Sequence, residues 1–260
     1  MKENKYLEAR GRSITKANDL IQKSRFDLSL QQQKVVLYLI SHISPYDEDF
    51  KIYSFEIREF LKVIGAEIDS GANYSYLKKQ IQDIADKSLW IKIENGKETL
   101  VRWIERPYID ENSGIIEIKL DALMKPYLIQ LKNNYTTYEL AYTLLFKSKY
   151  SLRLYEIAKS VHFHELTEYK RKYSVEELKI MMGAENNKEY RDFKRNALKK
   201  ATDEINKYSD KDISFEEIKH GRKVIAIEFT IKTKCAVERM KLREEIDIKL
   251  GPDQLTFWDI

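Results

Sequence analysis

Cysteine is almost missing from this chain of 260 residues, where Cys235 stands alone. An internal disulfide and a zinc site built from several thiolates are both excluded. Proline (4) and glycine (8) are also scarce, which argues against long irregular loops. No run approaches the ~18 uninterrupted apolar residues of a membrane span. The start, 1–15, is charged and lacks the apolar core of a secretory signal, so the chain reads as cytoplasmic. Neither sign of charge dominates: 46 Lys and Arg face 42 Asp and Glu, a net +4. A balance so even says little about partners until the cations are placed on their elements. No phosphate-cradling Gly-rich loop, Ser/His/Asp arrangement or carboxylate dyad is found. Neither catalytic residues nor a metal or cofactor are expected, and the chain is read as no enzyme.

What is present suffices for packed cores. Hydrophobic residues make up 43% and aromatics 12%, far from a disordered composition. The length fits one large domain or two ordinary ones. A helix is expected over 29–43, opened by a Ser29/Gln32 capping box. Val36, Leu39, Ile40 and Ile43 form its stripe, and Pro45 ends it. A second helix is expected over 54–64, with Gly65 as its cap, and a third over 74–88, burying Leu77, Ile81 and Ile84. The period then changes. Segments 89–94 and 99–106 read as strands joined at Asn95-Gly96, a hairpin turn signal, and 115–120 as another.

The second half runs through a similar order. Helices are expected over 137–146, 151–161, 174–182 and 188–208, then strands 213–219 and 222–232 joined at His220-Gly221. Ile225, Ile227, Phe229 and Ile231 alternate as on a half-buried strand. Residues correspond too. Tyr53-Ser54-Phe55-Glu56 matches Tyr173-Ser174-Val175-Glu176, and Gly65-Ala66-Glu67 matches Gly183-Ala184-Glu185. Tyr74 with Leu77-Lys78 matches Tyr190 with Phe193-Lys194. Short matches falling in order point to a duplicated unit. Helix-turn-helix followed by a hairpin is a winged helix. The expected fold is therefore α+β: tandem winged-helix domains over 1–132 and 133–234, with a tail over 235–260.

In a helix-turn-helix the last helix packs one side and offers the other to the major groove. On 188–208, Tyr190, Phe193, Ala197, Ala201, Ile205 and Tyr208 share one face at 100° per residue. The opposite face carries Lys188, Arg191, Arg195, Lys199, Thr202 and Asn206. The hairpin tip adds Lys219, His220, Arg222 and Lys223. Arginine grips guanine edges, and both cations neutralise phosphates. The plain alternative, a solvated charged face, yields to the helix-turn-helix context. The first domain offers less: Lys79 beside Asp83 and Asp86 on its third helix, and Lys97 at its hairpin tip. The second domain is the expected main DNA reader.

The run Leu145-Phe146-Lys147-Ser148-Lys149-Tyr150-Ser151-Leu152-Arg153-Leu154-Tyr155-Glu156 resembles the segment opening the second domain of the iteron-binding plasmid replication initiators. These are the Rep proteins of theta-replicating plasmids. Asn18-Asp19-Leu20-Ile21 and the 29–43 helix resemble the family's start. The likeness runs from about 16 to 233 and is most specific over 148–156. It implies binding to direct repeats of double-stranded origin DNA as a monomer. It also implies a dimer that represses its own gene, with contacts mainly from the first domain, and recruitment of host helicase without chemistry.

Two rival readings differ in class. His162-Phe163-His164 fits the metal motif of rolling-circle initiators, which nick DNA with a tyrosine. That motif needs a strand, where residues i and i+2 point the same way. Here it follows the helical stripe Leu154, Ile157, Ala158, Val161, where i and i+2 diverge by ~200°. The other rival is a plain winged-helix transcriptional regulator, which would prefer inverted over direct repeats. In the tail, 235–250 is charged, with Val237, Met240 and Ile246 sparse for a helical stripe, and Gly251-Pro252 breaks it. Gln254-Leu255-Thr256-Phe257-Trp258 resembles the Gln-Leu-x-hydrophobe-aromatic peptide by which bacterial proteins dock on the replicative sliding clamp. Phe257 and Trp258 stand where Leu and Phe are usual. The alternative is that both aromatics pack back onto the protein.

Overall fold

The computed structural model describes residues 8, 10–44, 46–57, 71–110, 112–161 and 167–250. Strand β1 (Ser13–Ala17) and helix α1 (Asn18–Gln22) lead through the short strand β2 (Ser24–Arg25) into α2 (Leu30–Ile40). The Ser29 hydroxyl accepts the Gln32 amide, and the Gln32 side chain accepts the Ser29 N–H, the capping box expected from sequence. Helix α2 buries far more than one stripe. Leu30 and every residue from Gln32 to Ile40 are covered, the mark of a helix enclosed on all sides.

Strand β3 (Tyr53–Glu56) occupies the start of the expected 54–64 helix. Tyr53 and Phe55 point inward and Ser54 and Glu56 outward, a period of two that the strand's pairing satisfies. Residues 58–64 of that expected helix, with Gly65, lie outside the described residues. Helix α3 (Gly71–Asp86) precedes the hairpin β4 (Ser88–Lys92) and β5 (Glu98–Arg102). Its turn sets both Asn95 (φ 60°) and Gly96 (φ 72°) left-handed, as the Asn-Gly signal requires. Next come β6 (Tyr108–Asp110), β7 (Ile115–Ile118) and a short α4 (Lys125–Leu128).

The expected helix 137–146 begins as strand and is helical only over 141–144. β8 (Tyr135–Glu139) pairs antiparallel with β1, Ser13 opposite Glu139 and Ala17 opposite Tyr135, and only α5 (Ala141–Leu144) is helical. Thr136 and Tyr138 face inward while Tyr135 and Thr137 face out, so alternation wins over the weak helical pattern. Helix α6 (Lys149–Ser160), strand β9 (Glu168–Ser174) and α7 (Val175–Met182) follow, with Ser174 capping α7 and Gly183 (φ 63°) closing it. Helix α8 spans Tyr190–Phe193, a π turn Lys194–Leu198, and Lys199–Tyr208. The long hairpin β10 (Lys211–His220) and β11 (Lys223–Thr233) completes the unit, and α9 (Ala236–Leu250) ends the described chain. No helix among the described residues is long and apolar enough to cross a membrane.

The duplication shows in the sheets. Strand order is β3-β7-β6 in the first half and β9-β11-β10 in the second, each a leading strand paired with the second strand of a hairpin. Tyr53-Ser54 and Tyr173-Ser174, matched in sequence, lie on those leading strands. A further sheet, β2-β4-β5, belongs to the first half alone.

Polar contacts join the halves. Lys16 on β1 meets Glu156 on α6 at 2.6 Å, both buried, and the Tyr138 hydroxyl donates to the same carboxylate at 2.5 Å. Arg153 pairs with Glu156 at 3.3 Å and donates to the carbonyls of Ile21 (3.0 Å) and Met181 (2.9 Å). Burial by itself pushes Glu156 up, but Lys16, Arg153 and Tyr138 outweigh it and hold the carboxyl below its usual value. Helix α9 packs Leu242, Ile246 and Leu250 inward, a stripe at i, i+4, i+8, while Val237 and Met240 are exposed. Arg243 reaches Glu139, and Arg10 reaches Asp247. The charged segment 235–250, whose sequence could form a helix with a sparse stripe, is a helix held to Glu139 of β8 and to Arg10.

Candidate nucleic-acid interface

The second half presents helix α8 and the tip of β10–β11 side by side. Lys188, Arg191, Arg195 and Lys199 are all exposed, as the sequence face required. Arg195 holds Asp192 at 3.0 Å on the surface, an exposed pair that is weak and easily exchanged for a phosphate. Thr202 departs from its expected place. It is only 6% exposed, and its hydroxyl donates to the Leu198 carbonyl at 2.9 Å. The cause is the π turn. Phe193, Ala197, Ala201 and Ile205 repeat every four residues, which at 100° per residue overshoots each turn by ~40°. A π turn absorbs the excess, and the buried face becomes Phe193, Ala197, Leu198, Ala201, Thr202 and Ile205. Asn206 remains on the surface, but its amide is committed to β10: it donates to the Ile213 carbonyl and accepts the Ile213 N–H.

At the wing tip Gly221 (φ 60°) supplies the left-handed turn, and Lys219, His220, Arg222 and Lys223 are exposed. The ladder slips between Ile218 and Lys219, placing an extra residue on β11. Ile225, expected inside, is 44% exposed for that reason, while Ala226 and Ile227 are both buried. A groove of about 490 Å³ lies between wing and helix, lined by the cations Lys179, Lys188, Arg222 and Lys223 with Glu176 and Glu189. Lys188 and the two tip cations, more than thirty residues apart in sequence, thus line one concave surface.

In the first half, Lys79 on α3 and Lys97 beyond Asn95-Gly96 are exposed. Lys97 tips the β4–β5 hairpin, whereas the hairpin matching β10–β11 by sheet order is β6–β7. Asp83, beside Lys79, accepts a hydrogen bond from Gln32. Three cations that the sequence reading passed over meet here. Lys23, Arg25 and Lys92 line a groove of about 420 Å³ against Glu177, Ile180 and Met181 of α7. No linear motif carries them; the pairing of Arg25 with Trp90 brings β2 and β4 together. A second omission had a visible signal, the run Lys170-Arg171-Lys172, exposed along the edge strand β9. His162, His164, Gln254, Leu255, Phe257 and Trp258 lie outside the described residues.

Helices followed by a hairpin, with a leading strand paired to that hairpin in each half, fit a tandem winged-helix protein. Comparison with known proteins gives the family. Models described as "Initiator Replication protein, WH1" and "Initiator Rep protein, WH2" match residues 13–159 and 174–231. The chain belongs to this family of replication initiators. It is 26% identical over 256 residues to a "Replication initiation protein" of Escherichia coli, covering 93% of this chain and 76% of that one. The Pi initiator protein, solved in complex with iteron DNA, shares the fold with a TM-score of 0.67. That match has 20% identity and covers 86% of this chain and 98% of the other.

Proposed function

We propose that this chain initiates plasmid replication by binding direct repeats of double-stranded DNA at the origin, chiefly through its second domain. The observation that carries the reading is the groove that brings Lys188 of the helix together with Arg222 and Lys223 of the wing tip, with Arg191, Arg195 and Lys199 exposed along the same helix and His220 exposed at the same tip. The helix suits base edges in the major groove and the wing suits the phosphates beside it. Lys79 and Lys97 supply weaker contacts from the first domain (1–132), which serves mainly to form a dimer that represses the initiator's own gene. The reading domain is 133–234. The chain acts in the bacterial cytoplasm, recruits host helicase, and catalyses no chemistry itself. Its tail, through Gln254, Leu255, Phe257 and Trp258, engages the host sliding clamp. The family membership and the charge contrast between the two halves support this division of labour.

Titration of a duplex carrying direct repeats tests it. Arg191→Ala or Arg195→Ala is expected to cost about 1–3 kcal/mol wherever the arginine touches a base, and Lys79→Ala markedly less. Thr202→Val, inside the fold, is expected to bind as wild type. Normal binding by both arginine variants, with a large loss from Lys79→Ala, would reverse the assignment of the reading domain. A tyrosyl adduct or nick on supercoiled origin DNA with Mg²⁺ or Mn²⁺ would revive the rolling-circle reading.

A further inference from the structure

Glu217 lies on β10 facing helix α8, and its side chain is only 19% exposed. Three groups converge on it. The Tyr190 hydroxyl donates at 2.8 Å, the Lys194 ammonium sits at 2.6 Å, and Lys219 approaches at 3.8 Å. These come from the first turn of the reading helix, the start of its π turn, and the wing tip. The hydrogen bonds from Lys194 and Tyr190 hold the carboxyl below its usual value, so it stays ionised. Together with the Asn206 amide on Ile213, this carboxylate ties the helix to the wing at a second point, nearer the DNA-facing end.

The consequence concerns selectivity. A free lysine on a DNA-facing surface binds any phosphate, adding affinity without sequence information. Lys194 and Lys219 are placed to do that, and both are held by one carboxylate. The geometry points to Glu217 as a specificity-determining residue: it withholds Lys194 and Lys219 from the phosphate backbone and fixes the angle between reading helix and wing. Affinity for unmatched DNA stays low, and discrimination falls to the other exposed cations of the helix, Arg191 and Arg195 among them. This rests on the reading of the second domain given above.

The test is a salt series on the full-length protein, with a direct-repeat duplex and a scrambled one. Glu217→Gln keeps an acceptor for Tyr190 and removes the charge. It is expected to bind scrambled DNA severalfold more tightly, and to lower the ratio of specific to non-specific affinity. Its plot of log affinity against log salt should steepen by about 0.9 for each lysine released. Lys194→Ala alone is expected to leave the wild-type slope unchanged, and adding it to Glu217→Gln should remove part of the steepening. Glu217→Ala, which also frees Tyr190, is expected to weaken specific binding as well. An unchanged slope in Glu217→Gln, with both duplexes weakened alike and a lower melting temperature, would reduce Glu217 to a structural tie and overturn the proposal. If wild type itself fails to prefer the repeats, and Arg191→Ala and Arg222→Ala bind unaltered, the reading of the second domain fails instead.

Discussion

Lys34 carries its ammonium from α2 into the seam between the halves, where it donates to the carbonyls of Leu144 (2.7 Å) and Phe146 (2.9 Å). Those carbonyls follow α5, so the lysine closes a helix end that water does not reach. Burial brings its pKa down to about 7, with Glu204 acting weakly in the other direction. The unfolded chain keeps this amine protonated up to ~10.4. Between these values the unfolded state binds the extra proton, so the contribution of Lys34 to stability rises with pH and levels off below 7. Against Lys34→Met, the wild type is expected to gain stability from pH 7 to 9, by up to ~1.4 kcal/mol per pH unit. Urea unfolding of both proteins at each pH measures it. A pH-independent difference would show that the amine remains charged in the fold. Thr202 teaches the complementary lesson, since a polar side chain on a helix turns inward without cost when the Leu198 carbonyl accepts its hydroxyl.

Among the elements, α9 differs most from its sequence appearance. Val237, Met240 and Ile246 form no stripe, yet Leu242, Ile246 and Leu250 do once the helix is docked, and Arg243 and Asp247 lock it through Glu139 and Arg10. Ile246→Ala, at a fully buried site, is expected to cost about 2–5 kcal/mol. Ile248→Ala, largely exposed, should stay within ~0.5 kcal/mol. Deleting 251–260 is expected to leave the melting temperature unchanged and to abolish binding to host clamp. Loss of stability without any clamp interaction would make that segment structural. The reading helix was largely legible: its cations face outward because hydrophobic period and charge agree. Its π turn was visible only as a four-residue spacing, whose meaning depends on what the helix packs against.

At the scale of the whole molecule, the two winged units are fastened by β1–β8 and by the cluster around Glu156. The alternative, two units on a flexible linker, would leave Lys16 and Arg153 in water. Instead both are buried against one carboxylate. Removing one member of such a cluster strands the others, which is more damaging than the cluster's net contribution. Glu156→Ala is expected to cost about 3–5 kcal/mol and to loosen the first strand from α6. Differential scanning calorimetry and exchange of the β1 amides report both effects. Wild-type melting with protected β1 amides would show that the apolar contacts alone hold the halves together.

The sequence by itself determined what neighbours along the chain decide. The Ser29/Gln32 cap, the Asn95-Gly96 turn, the glycines at 183 and 221 and the stripes of α3 and α6 depend on residues within a few positions. Their geometry is the same in any fold. The duplication and the cationic face of α8 were readable for that reason. Tertiary structure alone decided the pairing of β1 with β8, whose Thr15 and Thr137 are 122 residues apart. It also decided that 53–56 is strand, the meeting of Lys23, Arg25 and Lys92, and the capture of two lysines by Glu217. Alternating or amphipathic segments offer their faces to any partner. Which partner covers them, and whether a buried charge finds its counter-ion, is settled only when distant segments compete for the same core.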